Sequence, residues 1–177
     1  MPAVAFDNTH PRMSVDDVGK VVSLLGRERT MDVAFVRPDG WPQVTTVGYI
    51  SDGLDLYFTT SQQSQKLANL RADPRASVAI HAADGEDLVG VSMAGVAVEV
   101  YDPAEIQRLN ALIFVGWPGV RVFCPAGQAV AIIHIRPQLV GMVRIVGGQS
   151  RSECFSVDAS TRQASASPVL DAVNDRG

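Results

Sequence analysis

Near the start of the chain, apolar residues recur at helical spacing. Val15, Val18, Val21, Val22 and Leu25 fall on one stripe of a helix with about 3.6 residues per turn. Ser14 stands ahead of them as an N-cap, and Asp16 and Asp17 lie in the first turn, where the helix dipole favours negative charge. Gly26 fits a helix end. The pattern predicts an amphipathic helix over 14–25, preceded by a loose arm at 1–12. From residue 30 the period drops to two. Runs at 31–36, 42–50 and 54–60 are separated by Pro38-Asp39-Gly40 and Asp52-Gly53, turn sequences that join antiparallel strands. This predicts a three-stranded meander in which Leu54, Leu56 and Phe58 share one face and Asp55, Tyr57 and Thr59 the other.

Further along, a short helix is predicted at 64–72, ended by Asp73-Pro74. Strands follow at 75–82 and 88–101, with Asp84-Gly85 between them and with Gly90 and Gly95 marking a bulge or bend in the second. Asp102 and Pro103 open a helix over 103–114, as N-cap and first helical residue. Gly116-Trp117-Pro118-Gly119 reads as a loop. Two more strands, 129–136 and 141–146, are joined through Pro137. From Gly147 the chain turns rich in Ser, Ala, Gln and Arg, which predicts an extended or partly disordered tail over 148–177 around a core domain at 13–147. Strands dominate, hairpins connect them and helices fall between runs of strands. The fold class is therefore mainly β, an antiparallel barrel with short helices at its margins.

Composition narrows the function. The 177 residues are 46% hydrophobic and 19% charged, with a net charge of −4. A mean hydropathy of +0.11 is high enough to suggest surface buried against a second copy. The acidic balance argues against nucleic acid held on a basic face. No apolar run reaches the ~18 residues of a membrane helix, and the start has no basic-then-apolar signal segment. Cys124 and Cys154 are too few for a disulfide framework and lie in no metal-type spacing. A cytoplasmic globular domain is the expectation.

The chemistry concentrates in Tyr57-Phe58-Thr59-Thr60-Ser61-Gln62-Gln63-Ser64-Gln65-Lys66-Leu67. A strand ends in hydroxyls and a helix starts just after. The first N–H groups of a helix have no intrahelical partner and carry partial positive charge, so an anion is favoured there. Thr59, Thr60, Ser61 and Ser64 add donors, and Lys66, one of only two lysines in the chain, adds a full charge. A monophosphate fits this set. On local physics alone, so does an ordinary capped helix with a solvated lysine.

The order Asp39-Gly40-x-Pro42-x-Val44, Asp52-Gly53, Leu56-Tyr57-Phe58-Thr59-Thr60, Ser64-x-Lys66, Asn69-Leu70, Asp73-Pro74-Arg75, with Gly95 in a later strand, resembles the pyridoxamine 5'-phosphate oxidase-like, FMN-binding split β-barrels over about 30–100. The resemblance implies a homodimer with flavin at its interface. It implies that Thr59, Thr60, Ser64, Gln65 and Lys66 hold the phosphate. It places Val44, Thr45, Thr46 and Val47 along the isoalloxazine ring, with Trp117 approaching from the partner subunit. A tryptophan that merely anchors its loop is an equal reading of Trp117. The sequence departs from the true oxidase in several places. Val44 and Tyr49 stand where that enzyme has basic residues, Gln65-Lys66 replaces an Arg-Lys pair, and Gly90 replaces a glutamine. The arginine–histidine motif that grips pyridoxal phosphate has no counterpart in 150–177. The expected activity is FMN-dependent hydride transfer between a small molecule or nicotinamide and the flavin, carried by the cofactor without a protein nucleophile. Alternatives on the same fold are a deazaflavin-dependent reductase and a non-catalytic flavin- or haem-binding protein.

The remaining candidates read as structural. His10 is placed in the arm and His81 near a turn. His134 alternates with Val130 and Ile132 and reads as a hydrogen-bonded, partly buried histidine, with haem ligation as the minor alternative. Cys124 and Cys154 read as small apolar fillers. Arg71 and Arg75 are expected to pair with Asp73 at the surface.

Overall fold

The structure, a computed structural model, describes residues 9–84, 87–116 and 130–165. In chain order it consists of α1 (Val15–Arg27), β1 (Thr30–Val36), β2 (Pro42–Gly48), β3 (Ile50–Asp52), β4 (Asp55–Ser61), α2 (Gln65–Ala72), β5 (Arg75–Asp84), β6 (Asp87–Glu99), α3 (Pro103–Gly116), β7 (Val130–Val146), β8 (Gln149–Ser156) and α4 (Ala159–Ser165). All strand pairs are antiparallel, in the order β2-β1-β5-β6-β7-β4-β3, with β8 added on β7. β2 and β3 stand at opposite ends of that path yet are consecutive in the chain, so the covalent link at Tyr49 closes the sheet into a barrel.

That link corrects the expected meander. Residues 42–50 do not form one strand paired on both sides. β2 pairs with β1, and β3 pairs with β4. Tyr49 separates the two because its ring is buried, only 4% exposed, and its hydroxyl donates to the Leu25 carbonyl of α1 at 2.9 Å. Its backbone N–H donates to Arg29 O at 3.3 Å, leaving the β1 ladder at this point.

Inside the barrel, Leu54, Leu56 and Phe58 are fully buried, as the alternation requires, and Phe58 packs on Phe35 with ring centroids 6.4 Å apart. On the opposite face of β4, Tyr57 is buried as well, under Leu109 of α3 and beside Ile132 of β7. Ser14 caps α1 as expected, accepting from Asp17 N at 3.1 Å, but the helix runs on through Gly26 to Arg27. Asp102 caps α3, accepting from Ala104 N at 3.1 Å.

Two further expectations change. The predicted break at Pro137 is absent, and β7 is one strand of 17 residues. On one side β7 pairs with β4 up to Ile135 and with β8 from Leu139 onward, so Pro137 falls where the partner changes. On its other side it meets the bulge at Ala94/Gly95 of β6. A proline is tolerated where the ladder has no N–H to place. The predicted tail is also ordered in part. Gly147 and Gly148, with φ of 55° and 76°, make the two-residue turn that twisted hairpins favour, and residues 149–156 return along β7 as β8. Arg162 of α4 then donates to Pro137 O at 3.0 Å.

Candidate functional site

At the β4–α2 corner, the hydroxyl-rich segment folds into a tight connection. Ser64 N donates to Ser61 O at 3.0 Å, and Gln63 N to Ser61 Oγ at 3.2 Å. Ser64 is the N-cap of α2, its hydroxyl accepting from Leu67 N at 3.2 Å and lying 2.8 Å from Thr60 Oγ1. Ser64 O accepts from Ala68 N at 3.2 Å. The N–H groups of Gln65 and Lys66 therefore remain as the first donors of α2. The first turn of α2 has no acidic residue.

Lys66 does not match the solvated lysine of the plain-cap reading. It is partly buried, with its ammonium 5.9 Å from the centroid of the Phe58 ring. Desolvation by that burial holds its pKa below the ordinary lysine value. Among the described residues no carboxylate lies within ion-pair distance of it. A cation desolvated without a counter-charge is poised for an anionic ligand.

Strand β2 supplies the second half of the predicted site. It has β1 on one side and, at the end of the sheet path, no strand paired on the other among the described residues, so its outer edge makes no ladder there. Val44 is 64% exposed and Trp41, at the preceding turn, 71%. Thr46 is exposed and donates to Asp32 Oδ1 of β1 at 2.6 Å, while Thr45 and Val47 are half-buried on the other face. The two halves are brought together by side chains. Gln65 Nε2 of α2 donates to Asn69 Oδ1 at 2.9 Å, and Asn69 Nδ2 donates to Gln43 Oε1 of β2 at 2.8 Å. No sequence signal marks a role for Asn69: its Oδ1 bond spans one turn of α2, and its Nδ2 bond exists only with the helix against β2.

Thr59 is half-buried on β4, opposite Ile132, and makes no part of the Thr60–Ser64 pair. Arg75 pairs with Asp73 as expected. Arg71 does not. It reaches Glu99 at 2.9 Å and Gln62 Oε1 at 2.8 Å, drawing the end of β6 and the β4–α2 connection together. Tyr49 and Gly90 are explained without a ligand, the first as a core residue and the second on open space. Trp117 and Cys124 lie outside the described residues.

His134 sits in a separate polar cluster. Its ring stacks on Tyr57 at 4.4 Å and 22°, its Nε2 lies 3.2 Å from Asp55 Oδ2, and its Nδ1 accepts from Arg136 Nε at 3.4 Å. Both ring nitrogens are turned toward protein groups, Nε2 approaching Asp55 without completing a hydrogen bond. Nearby, Arg108 binds Asp52 at 2.6 Å and Glu105 at 2.7 Å. These contacts hold the Glu105 carboxyl below its usual pKa, with the Arg108 hydrogen bond the largest cause. The group ties α3 to the barrel. Among the described residues there is no cluster of His, Cys, Asp and Glu that would hold a metal ion, and no helix long and apolar enough to cross a membrane.

The family model of pyridoxamine 5'-phosphate oxidase matches residues 18–144, and the chain belongs to this family, with its split-barrel fold. Solved structures of similar fold include a heme-binding protein from Mycobacterium smegmatis, 23% identical, with a TM-score of 0.66 over 82% of this chain and 59% of that one. An FAD-binding protein from Mesorhizobium loti is 21% identical, with a TM-score of 0.57 over 75% of this chain and 94% of that one. An F420 reductase is 30% identical, with a TM-score of 0.50 over 67% of this chain and 93% of that one. No curated protein matches the chain significantly in sequence.

Proposed function

We propose that this chain is an FMN-dependent oxidoreductase that works as a homodimer and transfers hydride between the flavin and a small-molecule substrate or nicotinamide. The observation that carries this reading is Lys66, a partly buried ammonium with no carboxylate partner among the described residues, at the start of a helix that is hydrogen-bonded through Asn69 to an unpaired edge strand. A flavin phosphate needs such a pair of subsites, a cationic N-terminus for the phosphate and a free strand edge for the ring.

When bound, the flavin supplies the redox chemistry. The chain's residues bind and orient. Lys66 and the N–H groups of Gln65 and Lys66 would take the phosphate, with Thr60 and Ser64 as neighbouring hydroxyls. The free edge of Val44–Val47 would offer N–H and C=O groups to the polar rim of the ring, where N–H donors favour the charge that reduction places there. No side chain is required to carry a proton.

A deazaflavin reductase is the second reading, favoured by the 30% identity to an F420 reductase. That coenzyme has a longer acidic tail and asks for uncommitted cations. Around this site Arg37, Arg71 and Arg75 are each paired with a carboxylate, Asp39, Glu99 and Asp73 respectively, which favours the shorter FMN. Titration of the purified protein with both cofactors decides the matter. FMN is expected to bind more tightly; tenfold tighter deazaflavin binding would reverse the assignment.

The homodimer is supported by the apolar side chains left in solvent next to the ring strand, Trp41 and Val44. Light scattering of the flavin-loaded protein is expected to give the mass of two chains, and Val44→Asp is expected to shift it toward one. A wild-type mass of a single chain would remove the partner from the site.

A further inference from the structure

We propose that Asn69 is a positioning residue that sets the phosphate subsite in register with the ring subsite. The proposal rests on the flavin reading above and adds to it the element that couples its two halves. Asn69 is fully buried, with 0% exposure, an unusual place for an amide. Its burial is tolerated because its oxygen accepts from Gln65 and its nitrogen donates to Gln43. The result is a relay of three side-chain amides. It starts at Gln65, the first residue of α2 and the chain neighbour of Lys66, and ends on β2 at Gln43, the chain neighbour of Val44. Apart from this relay, the helix is held by burial of Leu67 and Leu70 and, near its C-terminal end, by Arg71 on Glu99 of β6; the Asn69–Gln43 bond is the side-chain link described between the helix and β2. The 2.8 Å bond from Asn69 to Gln43 fixes the helix along β2, and the 2.9 Å bond from Gln65, one turn away in the same helix, holds the Asn69 amide in place.

The consequence is specific to a ligand that spans both subsites. Such a ligand gains affinity from their correct separation, because engaging one end presents the other at high effective concentration. A ligand that uses one subsite gains nothing from the coupling. Asn69→Leu keeps the heavy-atom branching of the side chain, with methyls in place of the amide, and removes both links, while Gln65 and Gln43, which are not fully buried, can turn to water.

The test measures FMN and riboflavin by fluorescence titration, and inorganic phosphate by competition against FMN, in wild type, Asn69→Leu, Gln43→Leu and the double variant. In Asn69→Leu, FMN affinity is expected to fall about tenfold or more, with riboflavin and phosphate affinities within about twofold of wild type. Gln43→Leu is expected to reproduce the loss, and the double variant to add little to either single one. An equal loss for FMN and riboflavin, unchanged FMN binding, or additive single effects would each overturn the proposal. If Asn69→Leu does not fold, Gln43→Leu alone carries the same comparison. Wild-type protein that binds no FMN would sink the flavin reading itself; wild-type binding with an indifferent Asn69→Leu variant sinks only the positioning role.

Discussion

Lys66→Ala is expected to lower FMN affinity by about ten- to one-hundredfold while the protein stays folded. A hydrogen bond to a charged group contributes about 1.5–3 kcal/mol, which is one to two decades in Kd. The fold should survive because the charge is not a source of stability. Burial holds the Lys66 pKa below its unfolded value, so keeping the side chain protonated costs free energy in the folded state. That cost applies at all pH values below the lowered pKa and fades as pH climbs from there to the unfolded value. Alanine removes the cost, along with the attraction of the ammonium, 5.9 Å from the ring centroid, to the Phe58 ring, two small effects of opposite sign. In wild type, FMN affinity should decline as pH rises through the lowered Lys66 pKa, earlier than an ordinary lysine near ~10.4 would dictate. The decline should be missing in Lys66→Ala. Fluorescence titrations across the alkaline range, with thermal unfolding alongside, measure both. An alanine variant with native affinity would place the phosphate elsewhere.

Much of this corner was legible in the sequence because its signals are local. The period of two in 54–60, the hydroxyls, the cap and the lysine all lie within a dozen residues and need no partner to be read. What escaped depends on contacts between distant segments. The kink at Tyr49 needs the Leu25 carbonyl, and the state of Lys66 needs Phe58 beneath it. The Gln65–Asn69–Gln43 relay needs β2 beside α2. Strand β8 was lost for a different reason. Its first five residues are exposed and polar, so no alternation marks it, and only the Gly147-Gly148 pair signals the hairpin. Arg71 illustrates a bias toward near neighbours. Asp73 is closer in sequence, yet the guanidinium goes to Glu99, a less exposed carboxylate that also accepts from Gln62 and Tyr101 and gains its counter-charge from Arg71.

Gly95 and Gly90, indistinguishable as glycines within one predicted strand, should respond oppositely to the same change. A Cβ at Gly95 would sit 2.0 Å from Arg136 O and 2.8 Å from Arg136 C and Pro137 Cα. All three are backbone atoms, so no rotamer relieves the clash, and β6 and β7 must separate at the bulge where Pro137 crosses. Gly95→Ala therefore perturbs the pair of long strands through the middle of the barrel. Overpacking of this kind costs about 3 kcal/mol or more, which for a domain of this size lowers Tm by about 6–12 °C. A Cβ at Gly90 meets nothing within 4 Å, and Gly90 has ordinary strand φ. Gly90→Ala should leave Tm within a few degrees, or raise it slightly, because alanine restricts the unfolded chain. Thermal unfolding of the two variants side by side gives the comparison. Equal responses would mean that β6 does not approach β7 so closely at Gly95, and the continuous strand through Pro137 would lose its explanation.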